Sequence, residues 1–155
     1  MNKLPPIAKV YEALSAVADQ RVEMHADHAI VTSSDHTKDY TVKFLPDGYS
    51  SNDNATLWQH YPGYPILAVM IIQGKLKSNP ECLPWFQAVN WKQLNTQAKN
   101  DYEKAISVFL QPFSKTIQSQ IVSEVQNLFD QLSSMEITVK GNRAPRSRES
   151  GQNKK

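Results

Sequence analysis

Tyr64-Pro65-Ile66-Leu67-Ala68-Val69-Met70-Ile71-Ile72 is apolar on every side, and its reading decides the fold. A helix without a polar face must be enclosed by other elements. Pro65 suits a first helical turn, where its missing N–H is harmless, and Gly74 lies near the expected end. The run therefore predicts a central core helix. A buried strand competes with it, because so short and uniform a run carries no period. Its nine residues also fall far short of the roughly 20 that a membrane-spanning helix needs.

Working outward toward the N-terminus, a polar, turn-rich connection over 50–63 separates this run from a block of short strands. Tyr40, Val42 and Phe44 alternate with Thr41 and Lys43, the pattern of a half-buried strand. Ile30-Val31-Thr32 supplies β-branched residues for another strand over 28–33, and Val22 and Met24 mark a third over 21–25. Ala26-Asp27 and the 34–37 cluster read as turns between them. Pro46-Asp47-Gly48 is a further turn signal, leading into a short return strand at Tyr49-Ser50-Ser51. Strands so close in sequence pair antiparallel, since a parallel pair needs a long crossover. Before them, Ile7, Val10, Tyr11, Leu14, Val17 and Ala18 fall at spacings of three and four, which predicts an amphipathic helix entered through Pro5 and Pro6.

Toward the C-terminus the pattern is helical. Residues 80–88 read as a short helical or irregular segment. Asn90 caps a long helix carrying Trp91, Leu94, Ala98, Tyr102, Ala105, Ile106 and Phe109, which Pro112 ends. After Ser114, the positions Ile117, Ile121, Val125, Leu128 and Leu132 define another helix. Strands and helices in separate blocks indicate an α+β fold. The expected architecture is an N-terminal helix, a small antiparallel sheet of three to four strands, and a C-terminal block of three to four helices. Residues 1–139 form one domain, and 140–155 a disordered basic tail.

Charge agrees with that division. The tail from Lys140 to Lys155 carries six basic residues and one acid, a net +5, so the preceding residues carry a net −3. The tail could contact phosphates, but it has no aromatic residue to stack on bases, and an acidic body disfavours nucleic acid across its main surface. The N-terminal residues lack the apolar core of a secretory leader, so a cytoplasmic location is expected. The lone cysteine, Cys82, rules out an internal disulfide. It sits among acidic and apolar neighbours that would not activate a thiol, which makes its expected role structural.

The most unusual stretch is the loop from Asn52 to Tyr64. Amides, a carboxylate, an imidazole, an indole and phenols gather there beside the most buried helix. Loops on a rigid scaffold are where binding groups usually sit. The candidate binding residues are Asn52, Asp53, Asn54, Trp58, His60 and Tyr61, with Asp53 and His60 expected at least partly exposed and Trp58 mostly buried. A scaffolding role competes: Asn52, Asp53 and Asn54 are good turn and cap residues, and Trp58 and Tyr61 could simply close the core. The Asn-Asp-Asn triplet lacks the alternating acids, the mid-loop glycine and the late glutamate of a calcium loop. His25, His28, His36 and His60 have no recognised metal-ligand spacing and read as solvated. Neither a nucleophile elbow nor a phosphate-cradling glycine loop is present, and no catalytic residue or cofactor is assigned.

The sequence thus predicts a small non-enzymatic binding or interaction module that meets a partner, such as a protein, through this loop, with no membrane partner. Two rivals stand beside it. One is a nucleic-acid accessory protein acting through the tail, and the other is a small hydrolase or transferase with a site around Asp53 and His60.

Overall fold

The computed structural model of the chain describes residues 3–146. The element order is α1 (Ala8–Ala18), β1 (Val22–Met24), β2 (His28–Thr32), β3 (Asp39–Leu45), β4 (Gly48–Ser51), a π-helical turn (Ala55–Gln59) and α2 (Tyr64–Ile72). A 3-10 helix (Pro80–Phe86), α3 (Trp91–Gln97), α4 (Tyr102–Leu110), α5 (Lys115–Ser133) and β5 (Thr138–Gly141) complete it. The fold is α+β. Among the described residues no helix is long and apolar enough to cross a membrane.

The uniformly apolar run is a helix, and it is the centre of the core. Residues from Pro65 to Ile71 are all buried in α2, and Gly74 follows in the left-handed region at φ +78°. Helix α1 packs beside α2. On the far side of α1, Tyr11, Phe86, Trp91 and Phe109 form an aromatic cluster, with Phe109 centred 5.2 Å from Trp91 and 5.6 Å from Phe86. The Trp91 indole N–H is satisfied by donating to Ser15 Oγ at 2.7 Å, which ties α3 to α1.

The sheet has five strands in the order β1-β2-β3-β4-β5. The first four form the expected antiparallel meander, with Val31 opposite Tyr40, Ala29 opposite Val42, and Phe44 opposite Tyr49. Ala29, Val31 and Val42 are fully buried on the inner face.

Two boundaries differ from expectation. The long helix foreseen from Asn90 to Phe109 is broken into α3 and α4. Lys99 and Asn100 both take left-handed backbone, and the Asp101 side chain accepts from the Lys104 N–H to start α4 afresh. Asn-Asp is a stop-and-cap signal, and it overrides the continuing apolar stripe.

The fifth strand was also unforeseen, and it moves the domain boundary. β5 runs parallel to β4, and its pairs include Val139 with Tyr49, Lys140 with Ser50, and Gly141 with Ser51. The helices α2–α5 supply the long crossover that a parallel pair requires. Gly48 is needed for this approach, because a Cβ there would lie 1.9 Å from the Thr138 carbonyl oxygen. Lys140 and Gly141 therefore belong to the sheet rather than to a tail. The chain continues as a strap. Asn142 N–H donates to Ser51 O, Asn52 donates its amide to Ala144 O, and the Asp39 N–H donates to Arg146 O at 2.8 Å. Residues 147–155, the rest of the expected basic tail, lie outside the described residues.

Candidate functional site

The loop after β4 is built around Asp53, and Asp53 faces inward. Its carboxyl accepts from Ser51 Oγ, from the Thr56 N–H at 3.1 Å and from Thr56 Oγ1 at 3.0 Å. Thr56 Oγ1 in turn accepts from the Gly63 N–H at 3.2 Å. Gly63 has no room for a side chain, since a Cβ there would stand 2.0 Å from Asp53 Oδ2. This web fixes the π-helical turn and leads the chain into α2.

Exposure reverses the expectation for two residues. Asp53 is 5% exposed and Trp58 is 62% exposed. The reason is rotational: Thr56 is pinned inward, and a residue two positions further along lies about half a helical turn away. Tyr61 takes the buried place instead, under Lys3, whose ammonium lies 5.5 Å from the ring centroid. Asn52 is also buried and clamps β3 to the strap by accepting from the Thr41 N–H and donating to Ala144 O. Asn54 is exposed and accepts from Arg146 Nη1 at 2.6 Å. His60 is exposed at the end of the turn in left-handed backbone, φ 64°. Asp53 thus lies inside the web while His60 stands exposed at the far end of the turn.

What the structure brings together is a cavity of about 280 Å³ behind the loop. Its floor comes from α1 and the turn after it, with Lys9, Glu12 and Arg21. Tyr40 of β3 and Tyr64 of α2 form one wall, Asn95 and Trp91 of α3 another, and Tyr102 of α4 a third. Of the loop candidates, only Asp53 and Asn54 reach it.

Charged groups are buried here. Glu12 is 6% exposed and Arg21 is 7% exposed. Lys9 Nζ lies 3.8 Å from Glu12 Oε2, and Asn95 donates its amide to the same oxygen at 3.4 Å. Burial pushes the Glu12 carboxyl above the usual carboxylate range, against the opposing pull of Lys9, Asn95 and Arg21. For Lys9 burial acts downward, and the combined attraction of Glu12, Tyr102, Tyr61 and Asp53 outweighs it, so the ammonium is held above its ordinary value. Tyr64 is raised well above the phenol range by burial and then by the neighbouring Tyr40. Arg21 Nη1 donates to Thr32 O at 2.6 Å, while its Nε lies 3.7 Å from Asp19 Oδ2, too long for a hydrogen bond. Arg21 Nε and Asn95 Oδ1 are buried without hydrogen-bond partners. Unpaired buried polar atoms are rare, and each calls for a reason.

Sequence reasoning passed over Glu12, Arg21 and Asn95. A signal for Glu12 was present. The side of α1 away from its apolar stripe carries Ala8, Ala13, Ser15 and Ala16 around Glu12, small residues where a solvated face would be charged. Arg21 and Asn95 carried no such mark.

The other candidates read as structural. His25 and His28 stack at 4.6 Å at the β1–β2 turn, and each meets a carboxylate, Glu23 and Asp27 respectively. Among the described residues no three His, Cys, Asp or Glu side chains gather to hold a metal. Cys82 is buried, and its thiol is pushed up by burial and by the nearby Glu124 and Glu81, which keeps it unreactive.

A family model described as "Uncharacterised conserved protein UCP014422" matches residues 2–138. No curated protein and no solved structure matches the chain.

Proposed function

The chain belongs to that conserved family, and we propose for it a non-enzymatic binding function seated in the cavity between α1, the sheet and α3. The ligand is a small polar molecule. One observation carries this reading: the buried Glu12 and Arg21 line one cavity together with Asn95, and Arg21 Nε and Asn95 Oδ1 are buried without a hydrogen bond. Enclosed polar atoms without a hydrogen bond cost roughly 1–3 kcal/mol each, and such a cost is typical of a region shaped for binding rather than for stability alone. A concave site with a few convergent polar groups and a perturbed carboxyl is the usual form of a small-molecule site. In this reading the loop from Asn52 to Tyr61 serves as the rim and frame of the site.

Thermal melting with a library of small polar solutes tests it. A ligand at 100 times its Kd should stabilise the fold by about 2.7 kcal/mol. Asn95→Leu keeps the side-chain volume and removes the amide, so it should abolish that gain while the free protein still folds. Undiminished stabilisation of the Asn95→Leu variant would move the ligand elsewhere.

A further inference from the structure

We propose that the cavity and the depression beside it form a single site for an uncharged glycoside, with its sugar ring in the cavity and a second ring on the indole of Trp58. This rests on the cavity reading above and names its ligand.

Continuity is the first argument. The outer depression, about 430 Å³, is lined by Trp58 and Tyr61 and shares Lys9, Asn54, Ala55 and Tyr102 with the cavity. A ligand leaving the cavity past Asn54 therefore meets aromatic surface. Trp58 is a large apolar side chain left 62% exposed, on a turn whose inner side is locked by Asp53 and Thr56. A flat ring held on a fixed mount loses little entropy when another ring stacks on it.

Charge is the second. Each cation of the cavity already has a carboxylate: Lys9 with Glu12 at 3.8 Å, Arg21 with Asp19 at 3.7 Å, and Lys92 with Asp35 at 3.9 Å. A ligand with net charge would have to compete with one of these pairs, whereas an uncharged one leaves them intact. The groups that remain are amides, hydroxyls and phenols, from Asn95, Ser33, Tyr40 and Tyr64 among others. Hydroxyls and amides both donate and accept. Arg21 and Asn95 add a donor and an acceptor to the residues of this lining. A sugar hydroxyl accepts and donates at once, which suits a lining of this mixed kind.

Calorimetric titration of the full chain with maltose and with adenosine tests the proposal and tells whether the second ring is a sugar or a base. Glutamic acid and succinate serve as charged controls. At least one glycoside should bind, Asn95→Leu should abolish binding, and Trp58→Ala should weaken it about tenfold through the lost stacking. Trp58 is exposed, so its removal leaves the core intact, which melting of the variant verifies. Glycoside binding that Trp58→Ala does not weaken overturns the proposal. Binding of glutamic acid or succinate with both glycosides silent also overturns it, yet leaves the cavity as a polar-ligand site. Silence of all four probes overturns the glycoside assignment, while the wider solute screen decides separately on the cavity.

Discussion

At the scale of single residues, Glu12 and Asp53 show how burial changes what a carboxyl does. The Glu12 carboxyl is raised above its ordinary 4.5, by burial first. The folded chain therefore holds this proton at pH values where the unfolded chain has released it. Its stabilising effect is whole below about pH 4.5 and is lost as pH rises through the folded value. Glu12→Gln should remove that loss, so melting across pH should show the variant gaining on the wild type from pH 4.5 upward. A constant difference would mean that Glu12 ionises as a solvated group does. Asp53 is the opposite case, a carboxyl satisfied by Ser51 and Thr56. Asp53→Ala leaves those donors unpaired in the interior and should destabilise by about 3 kcal/mol in a denaturant titration. That exceeds what an exposed turn residue would lose. A loss below about 1 kcal/mol would show that the web around Asp53 is replaceable by water.

Among the elements, the β4–β5 pair is the most exacting contact. A parallel strand lies so close to Gly48 that any Cβ meets backbone of Thr138, which has no flexible end to move aside. Gly48→Ala should therefore displace β5 and cost roughly 1–3 kcal/mol, the usual penalty of overpacking. Amide exchange would locate the damage: protection should fall at Thr138 to Gly141 and persist in α2. Unchanged protection in β5 would mean that the sheet absorbs the methyl group. By contrast Gly141 opposes the end of the Leu57 side chain, which can rotate, so the same substitution there should be milder.

For the molecule as a whole, the chain runs from α1 through four strands into the helical block, and returns to pair β5 with β4. That return ties residues 142–146 to β3, β4 and the loop after them through Asn52, Asn142 and Arg146, the last bonded to Asn54 on the cavity rim. Cutting after Val139 removes half of β5 and the whole strap, so thermal stability should drop clearly, where the loss of a disordered tail would leave it unchanged. Cutting after Arg146 keeps the strap bonds given above and should melt well above the shorter truncation. Equal melting of both truncations would show that the strap adds nothing to the fold.

Local pattern alone determined α1, the first four strands and α5, because each carries a complete signal within itself. The alternation of Tyr40, Val42 and Phe44 and the stripe from Ile117 to Leu132 need no partner to be legible, whereas the all-apolar run from Tyr64 to Ile72 fixed burial and left helix against strand to the tertiary structure. The inward turn of Asp53, the outward turn of Trp58 and the placement of β5 lay beyond that reach. A strand such as Thr138 to Gly141 exists because β4 offers it an edge of backbone donors and acceptors, and backbone pairing leaves no mark in side-chain periodicity. The cavity was the least legible of all. Lys9, Glu12, Arg21, Tyr64 and Asn95 are scattered along the sequence, and only the tertiary placement of α1, α2 and α3 makes them walls of one space.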